Sequence, residues 1–414
     1  MRIPKKTLVW LLVLIVVAGG GYGVYRWLHR AKPVANDAVT QQSSSSVTTK
    51  PQPTTIHLLA AGDFLAHDTV NEAAKQPDGS YDYMPIMDQF TSIFHASDIR
   101  FCNDAQLNGG AKFGISGYPT FNSPTEFAVD MEKVGCNMVN TGTNHSFDRN
   151  QAAINATQDV WDGLPNMLAV AGQNRNQAEH DTVHYFTVKG VKFAFLAYTT
   201  YINTDAPLQD TYGVNVFSKS FASTQIKEAK AHGAQMIIAS MRWGTEYSET
   251  VNAEQKQLAQ WLADQGVDIV LGHGPHVLQT VQQLTGTNGN KTTVWYSLGD
   301  FIGTQLPPDT LFNGLATIDI DIKTHHVTHL GFLPIYMHYE WTAAQAKRQN
   351  NADLLARHNL KMYFLDQTTQ AMIDSQQLQT TVAAQRQRIQ HTLDTYINVP
   401  LITKQQYLSD TANT

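Results

Sequence analysis

Five stretches of the sequence end an apolar run in residues able to hold an ion or move a proton: AAGDFLAHD at 60–68, VNTGTNHSFD at 139–148, SMRWGTEY at 240–247, LGHGPHV at 271–277 and YSLGDF at 296–301. Asp63, Asn144, His145, His273 and His276 are oxygen and imidazole donors of the kind that bind divalent zinc, manganese or iron. A carboxylate and neutral imidazoles sharing such an ion can turn its water into a nucleophile near neutral pH. Taken singly, each residue has a plainer reading. Asp63 after Gly62 suits a turn or a helix N-cap, His273-Gly274-Pro275-His276 a surface loop, and Asp300 a turn. Their joint occurrence at the ends of apolar runs points instead to a polar crevice. In an open α/β sheet, residues just past the carboxyl ends of the strands gather in one place, so dispersed stretches become one site.

The elements that must position these residues alternate between short apolar runs and amphipathic helices from residue 56 onward, which argues for an α/β domain. Strands are expected at Ile56–Ala61, Met138–Asn140, Phe193–Tyr198, Met236–Ser240, Val267–Leu271 and Val294–Ser297. Ser123-Pro124-Thr125-Glu126 reads as an N-cap, a first-turn proline and a capping-box glutamate, with Gly135 closing that helix. A second helix is expected from about Asn252 to Gln265, ended by Gly266. After about residue 345 the chain is rich in Gln, Thr and Ala, with helices expected around 345–355 and 374–396. Cys102 and Cys136 would lie at different heights on parallel neighbours, beyond the ~7 Å limit for a disulfide, so two free thiols are expected.

Composition excludes some functions. With 29 Lys+Arg against 35 Asp+Glu over 414 residues, the net charge is -6 and no basic stripe appears. Nucleic acid therefore has no electrostatic footprint to bind. Between Lys6 and Arg26 lie 19 uncharged residues, Thr7 to Tyr25. As a helix they would span about 28 Å, close to the ~30 Å apolar core of a bilayer. A cleaved signal peptide would have an apolar region of ~7–15 residues ending in a small-residue site. Here the run is longer and no such site follows, so a single-pass anchor over 1–30 is expected. Basic residues flank it on both sides and leave the orientation count nearly balanced. The Ser/Thr/Gln/Pro-rich segment 31–55 cannot build a core and reads as a disordered tether. An α/β domain over 56–345 and a helical C-terminal extension over 346–414 complete the expected organisation.

The ordered motifs resemble the CapA family of capsule-synthesis proteins, which is associated with poly-γ-glutamate and related to calcineurin-like metallophosphatases. The resemblance runs from about His57 to Pro334 and is carried by GD at 62–63, Asn103, GYPTFNSPTEFA at 117–128, TNHSFD at 143–148, WGTEY at 243–247, GHGPHVLQ at 272–279 and YSLGDF at 296–301. It implies a four-layer α/β/β/α sandwich with the site at one edge of the sheets, and a membrane-anchored domain outside the cell. It implies Asp63, Asn144, His273 and His276 as ligands to manganese, iron or zinc, and His145 and Asn144 beside the reacting group. His67, Asn103, Tyr118, Trp243, Glu246 and Asp300 lie in or beside the motifs and are candidates for substrate contact. The implied partners are the membrane, an anionic cell-surface polymer such as poly-γ-glutamate, and other capsule-synthesis membrane proteins.

Three positions depart from the family pattern. Its N-x-E reads Asn103-Asp104-Ala105, its H-W-G-x-E-Y begins at Arg242, and its S-L-G-N-F carries Asp300. A carboxylate and an imidazole have become a methyl group and a guanidinium, and arginine cannot shed its proton to bind a metal. Each change adds one positive unit, together the charge of one divalent ion. Arg242 is thus expected to take the second ion's electrostatic role and stabilise an oxyanion, leaving one metal rather than two. Two alternatives stand beside this. Asp104 or Asp300 can move in for the missing carboxylate, or the site is degenerate, holds no metal, and the domain is a polymer-binding scaffold.

Overall fold

A strand that is apolar at nearly every position must be covered on both faces. That is the situation of β1 (Thr55–Phe64), buried from Ile56 to its end. The computed structural model describes residues 54–204 and 212–412. The expected anchor and nearly all of the tether lie outside them, and among the described residues no helix is long and apolar enough to cross a membrane. The further strands are β2 (Ile99–Asp104), β3 (Met138–Asn140), β4 (Ala169–Ala171), β5 (His184–Val188), β6 (Val191–Thr199), β7 (Met236–Arg242), β8 (Ile269–His273), β9 (Val281–Thr285), β10 (Lys291–Trp295), β11 (Asp300–Ile302), β12 (Phe312–Asp321), β13 (Val327–Glu340) and β14 (His358–Phe364).

They form two sheets. One runs β14-β13-β12-β1-β2-β3-β4, with β11 added alongside β1, and the other runs β5-β6-β7-β8-β10-β9. In the first, β1 to β4 are parallel. In the second, β6, β7, β8 and β10 are parallel. Facing apolar side chains join the sheets, with Phe101 6.2 Å from Phe195 and Trp295 5.9 Å from Phe332 between ring centroids. Helices Lys219–Ala231 and Ala253–Asp264 bury Ala222, Ile226, Leu258 and Leu262 on the outer face of the second sheet. On the outside of the first, helix Thr125–Val134 packs Phe127, Met131 and Val134. The layers are α/β/β/α.

Three local expectations need correction. Helix Ala253–Asp264 has the capping box of Asn252 and Gln255, but helix Thr125–Val134 has none. Its N-cap position is Pro124, and the Ser123 hydroxyl instead accepts from Gln106 Nε2. The chain after 345 is not simply helical. Residues 358–364 alternate inward Leu360, Met362 and Phe364 with more exposed neighbours and add β14 antiparallel to β13. Ile373, Ile389, Leu393 and Tyr407 join the main core, and the described residues form one compact unit.

The cysteines are also not free. Cys102 and Cys136 form a disulfide with Cα atoms 5.8 Å apart. Height along a strand was the wrong measure, because Cys136 precedes β3 and lies in the turn leaving helix Thr125–Val134. There Gly135 adopts φ 132° and the Cys136 N–H donates to Met131 O, 2.9 Å. The bridge spans 34 residues, for which closing the unfolded chain accounts for about 3–4 kcal/mol. Replacing both cysteines by alanine should lower the unfolding free energy by roughly that amount. Urea titration of the double variant checks this, and a thiol reagent should find no free sulfhydryl in the unreduced, unfolded parent.

Candidate metal centre

Alternation along the strands selects which residues meet. In β7, Met236 and Ile238 face the other sheet while Ile237, Ala239 and Met241 face the outer helices. The same period of two brings Ser240 and Arg242 to the inner side. In β8, Ile269 and Leu271 point inward, and His273 follows them. In β2, Phe101 meets the opposite sheet, so Asn103 turns inward and Asp104 outward. All of these sit at the carboxyl ends of parallel strands, on one edge of the sandwich.

Asp63 is paired across the sheet with Asn103 of β2 and with Asp300 of β11. The second pairing requires Gly62: a Cβ there would stand 1.8 Å from the carbonyl oxygen of Gly299. His276 completes the group, its Nδ1 3.1 Å from Asp63 Oδ2 and 2.8 Å from Asp300 Oδ1. Its backbone is left-handed, φ 62°, uncommon for a residue with a Cβ. Ligand atoms of Asp63, His276 and Asp300 all lie within 4.8 Å of one another.

His273 stands beside them. Its Nε2 is 2.8 Å from Ser240 Oγ and 3.0 Å from Asn140 Nδ2. Its Nδ1 lies 3.8 Å from Asp63 Oδ1, and neither this atom nor Asp300 Oδ2 has a hydrogen-bond partner among the described residues. Asn140 Nδ2 can only donate, so His273 Nε2 accepts and the ring proton sits on Nδ1. Buried polar atoms left unpaired are costly, and the unpaired carboxylate oxygen Asp300 Oδ2 beside Asp63 and the His276 imidazole fits a divalent cation. Asn140 donates to Asn103 Oδ1, and Asn103 Nδ2 donates to Asp63 Oδ1 at 2.7 Å.

Burial and charge set the protonation. Burial alone would raise Asp63, but His276, His273 and Asn103 hold it below its ordinary value. Burial pushes Asp300 up to about 7 against the pull of His276, with the Asp63 charge acting the same way. Burial works to discharge His276, yet Asp300 and Asp63 outweigh it and raise it to about 10. His273 is lowered to about 3 by burial, against the pull of Asp63 and reinforced by Arg242 and His276, and so is neutral; its Nε2 lone pair is taken by Asn140, which removes it from the metal-ligand role expected of it.

The second cluster lies one strand away, with Arg242 in register with His273. Arg242 Nε donates to Asn144 Oδ1 at 2.9 Å and Nη2 to Glu246 Oε1 at 3.0 Å, and the guanidinium lies 4.4 Å from the centre of the Tyr201 ring. His145 Nδ1 is 2.6 Å from Asp148 Oδ2, which also accepts from the Phe121 N–H. Phe121 packs edge-on against both His145 and His67. Burial, then the charges of Arg357, His276 and His145, lower His67 to about 3. The Thr304 N–H donates to His67 Nδ1, 3.2 Å, which leaves the proton on Nε2. Arg357, from the expected extension, donates to Thr304 O and holds that wall in place.

Several expected roles change. Asn144 is not placed as a metal ligand, because its oxygen is taken by Arg242. Asn103 is fully buried and orients Asp63 rather than reaching a substrate. Trp243, of opposite parity to Arg242, lies in the outer core and donates to Tyr296 O at 2.8 Å. Tyr118 is 76% exposed on the rim, and Glu246 is exposed beside Arg242. Of the two substitutes for the missing carboxylate, Asp104 faces outward, where Asn108 and Trp161 donate to it, while Asp300 joins Asp63. Ala105 packs with Leu65 and Phe121. Sequence reading missed Asn140, Ser240, Asp148 and Tyr201; period-two alternation from Met138 and Ile238 would have flagged the first two.

Fold and site together define an α/β/β/α sandwich protein with a candidate divalent-cation centre at the carboxyl edge of its sheets. Residues 57–305 match the family described as Bacterial capsule synthesis protein PGA_cap, and the chain belongs to that family. It is similar to the PGA biosynthesis protein CapA of Bacillus subtilis, 29% identical over 214 residues, which is 51% of this chain and 54% of that protein. It is also similar to the capsule biosynthesis protein CapA of Bacillus anthracis, 25% identical over 181 residues and 42% of each. The matched region thus spans about half the length of these curated relatives. Solved structures with a related course of chain include a phosphatase from Mycoplasma pneumoniae, at 12% identity over 72% of this chain and 99% of that one, TM-score 0.43. Another is the calcineurin-like phosphoesterase YfkN of Bacillus subtilis, at 14% identity over 87% of this chain and 100% of that one, TM-score 0.38.

The charged His276 makes a pH prediction. Its folded pKa is raised from 6.5 to about 10, so its stabilising contribution is complete below 6.5 and is lost as pH rises through 10. In metal-free protein, His276→Gln should cost most stability near pH 6 and progressively less toward pH 10, read by urea unfolding across that range. A constant cost would contradict the assignment.

Proposed function

We propose that this chain is a membrane-anchored, exported CapA-type protein that acts on an anionic cell-surface polymer such as poly-γ-glutamate, by metal-dependent hydrolysis or transfer at a phosphate or amide. The observation that carries the reading is the convergence of Asp63, His276 and Asp300 within 4.8 Å. The names of the relatives supply the polymer and the capsule context. The disulfide supports export, since such bridges persist in oxidising compartments, and the apolar run at 7–25 supports the anchor.

Asp63, Asp300 and His276 would hold a single ion, manganese, iron or zinc, with neutral His273 beside Asp63. Such an ion supplies Lewis acidity to a substrate oxygen. The chain's own residues do the rest. Asn103 and Asn140 fix the orientation of Asp63 and His273. His145, tied at Nδ1 to Asp148, presents Nε2 to take or give a proton. His67 offers an Nε2–H as a donor from the opposite wall.

A second reading, a polymer-binding scaffold with other capsule-synthesis proteins as partners, is favoured by Ala105, whose place among Leu65 and Phe121 leaves no carboxylate there. Metal analysis and turnover of a generic phosphodiester separate the two. The hydrolase reading expects about one ion per full-length chain, lost in Asp300→Ala, and turnover abolished by chelator and restored by manganese or zinc. Polymer binding that persists in chelator, without turnover under any metal, would establish the scaffold instead.

A further inference from the structure

We propose that Arg242 and Asn144 form a metal-independent cradle for an oxyanion of the substrate. The cradle adjoins the metal centre proposed above and deepens that reading, but its chemistry does not depend on an ion. Arg242 is 1% exposed. Its guanidinium is fixed by the bond to Asn144 Oδ1, the bond to Glu246 and the face of Tyr201. Gly274 leaves room for it, since a Cβ there would stand 2.9 Å from Arg242 Nε.

What remains is unspent donor capacity. Arg242 Nη1 and Asn144 Nδ2 are both buried and have no hydrogen-bond partner among the described residues. They belong to side chains already joined by the Nε to Oδ1 bond, so two N–H donors and a permanent positive charge are held together with no acceptor. Leaving such groups unpaired away from water is expensive. The ligand that answers them carries negative oxygen: a phosphoryl or carboxylate group. With Asn144 Oδ1 taken by the guanidinium, the asparagine works as an anion donor and not as a ligand to a second cation.

Isothermal titration of the full-length protein in excess chelator tests this, with inorganic phosphate in one arm and glutamate in the other. Saturable binding of at least one anion is expected; phosphate alone identifies a phosphoryl subsite and glutamate alone a carboxylate subsite, and either supports the cradle. Arg242→Gln should weaken that binding at least 10-fold. Asn144→Asp keeps the side-chain shape and retains Arg242, but places a carboxylate where the anion would sit, so it should weaken binding equally even if Arg242→Gln unfolds. No binding of either anion in chelator, or binding unchanged in Asn144→Asp, overturns the cradle. Metal content measured on the same samples reports separately on the metal centre: an intact cradle without metal affinity would sink the hydrolase reading alone.

Discussion

Placing Asp63 near the end of β1 side by side with Asp300 at the start of β11 puts two like charges where little water can screen them. The site is organised around that constraint. His276 sits between the carboxylates as a cation, held there by a left-handed backbone, and Asn103 spends its amide on one of the Asp63 oxygens. The remaining demand for positive charge is met by a proton or by a metal ion, and the two compete for the same oxygens. Gly62 is the steric condition for the arrangement, because the turn at Gly299 crosses directly over it.

The departures from the family pattern fit the same electrostatic account. An alanine at 105 exchanges a charge for apolar contact with Leu65 and Phe121, and an aspartate at 300 returns a carboxylate from a different strand. The arginine at 242 adds a charge that cannot be titrated away. The crevice thus has two unlike halves: one rich in acceptors around Asp63 and Asp300, and one rich in donors around Arg242 and Asn144.

Much of this was legible in the sequence, for a reason that can be stated residue by residue. Apolar runs ending in Gly, Asp, Asn or His mark strand ends, and parallel strands in an α/β sandwich share one functional edge, so Asp63, His273, His276 and Arg242 could be gathered without coordinates. Period-two alternation also separates Asp104 from Asn103 and Trp243 from Arg242. What could not be read were contacts made off the strands. Cys136 reaches Cys102 through a turn, Ser123 gives up its capping role to Gln106, and β14 hides in a segment whose composition looks helical. Which amide faces which partner, as with Asn144 and Arg242, depends on distances that no spacing encodes.

The pairing of β1 has a further consequence for how the chain is made. On one side β1 lies against β2, about 40 residues on, but on the other it lies against β12, and the side-chain contact between His57 and Asp319 that accompanies this pairing spans 262 residues of sequence. During synthesis or passage across a membrane from the N-terminus, that long apolar edge stays open until almost the whole domain has emerged. An unpaired edge strand is a template for aggregation. Exposure of that edge therefore begins with the first strand and ends only when one of the last strands arrives.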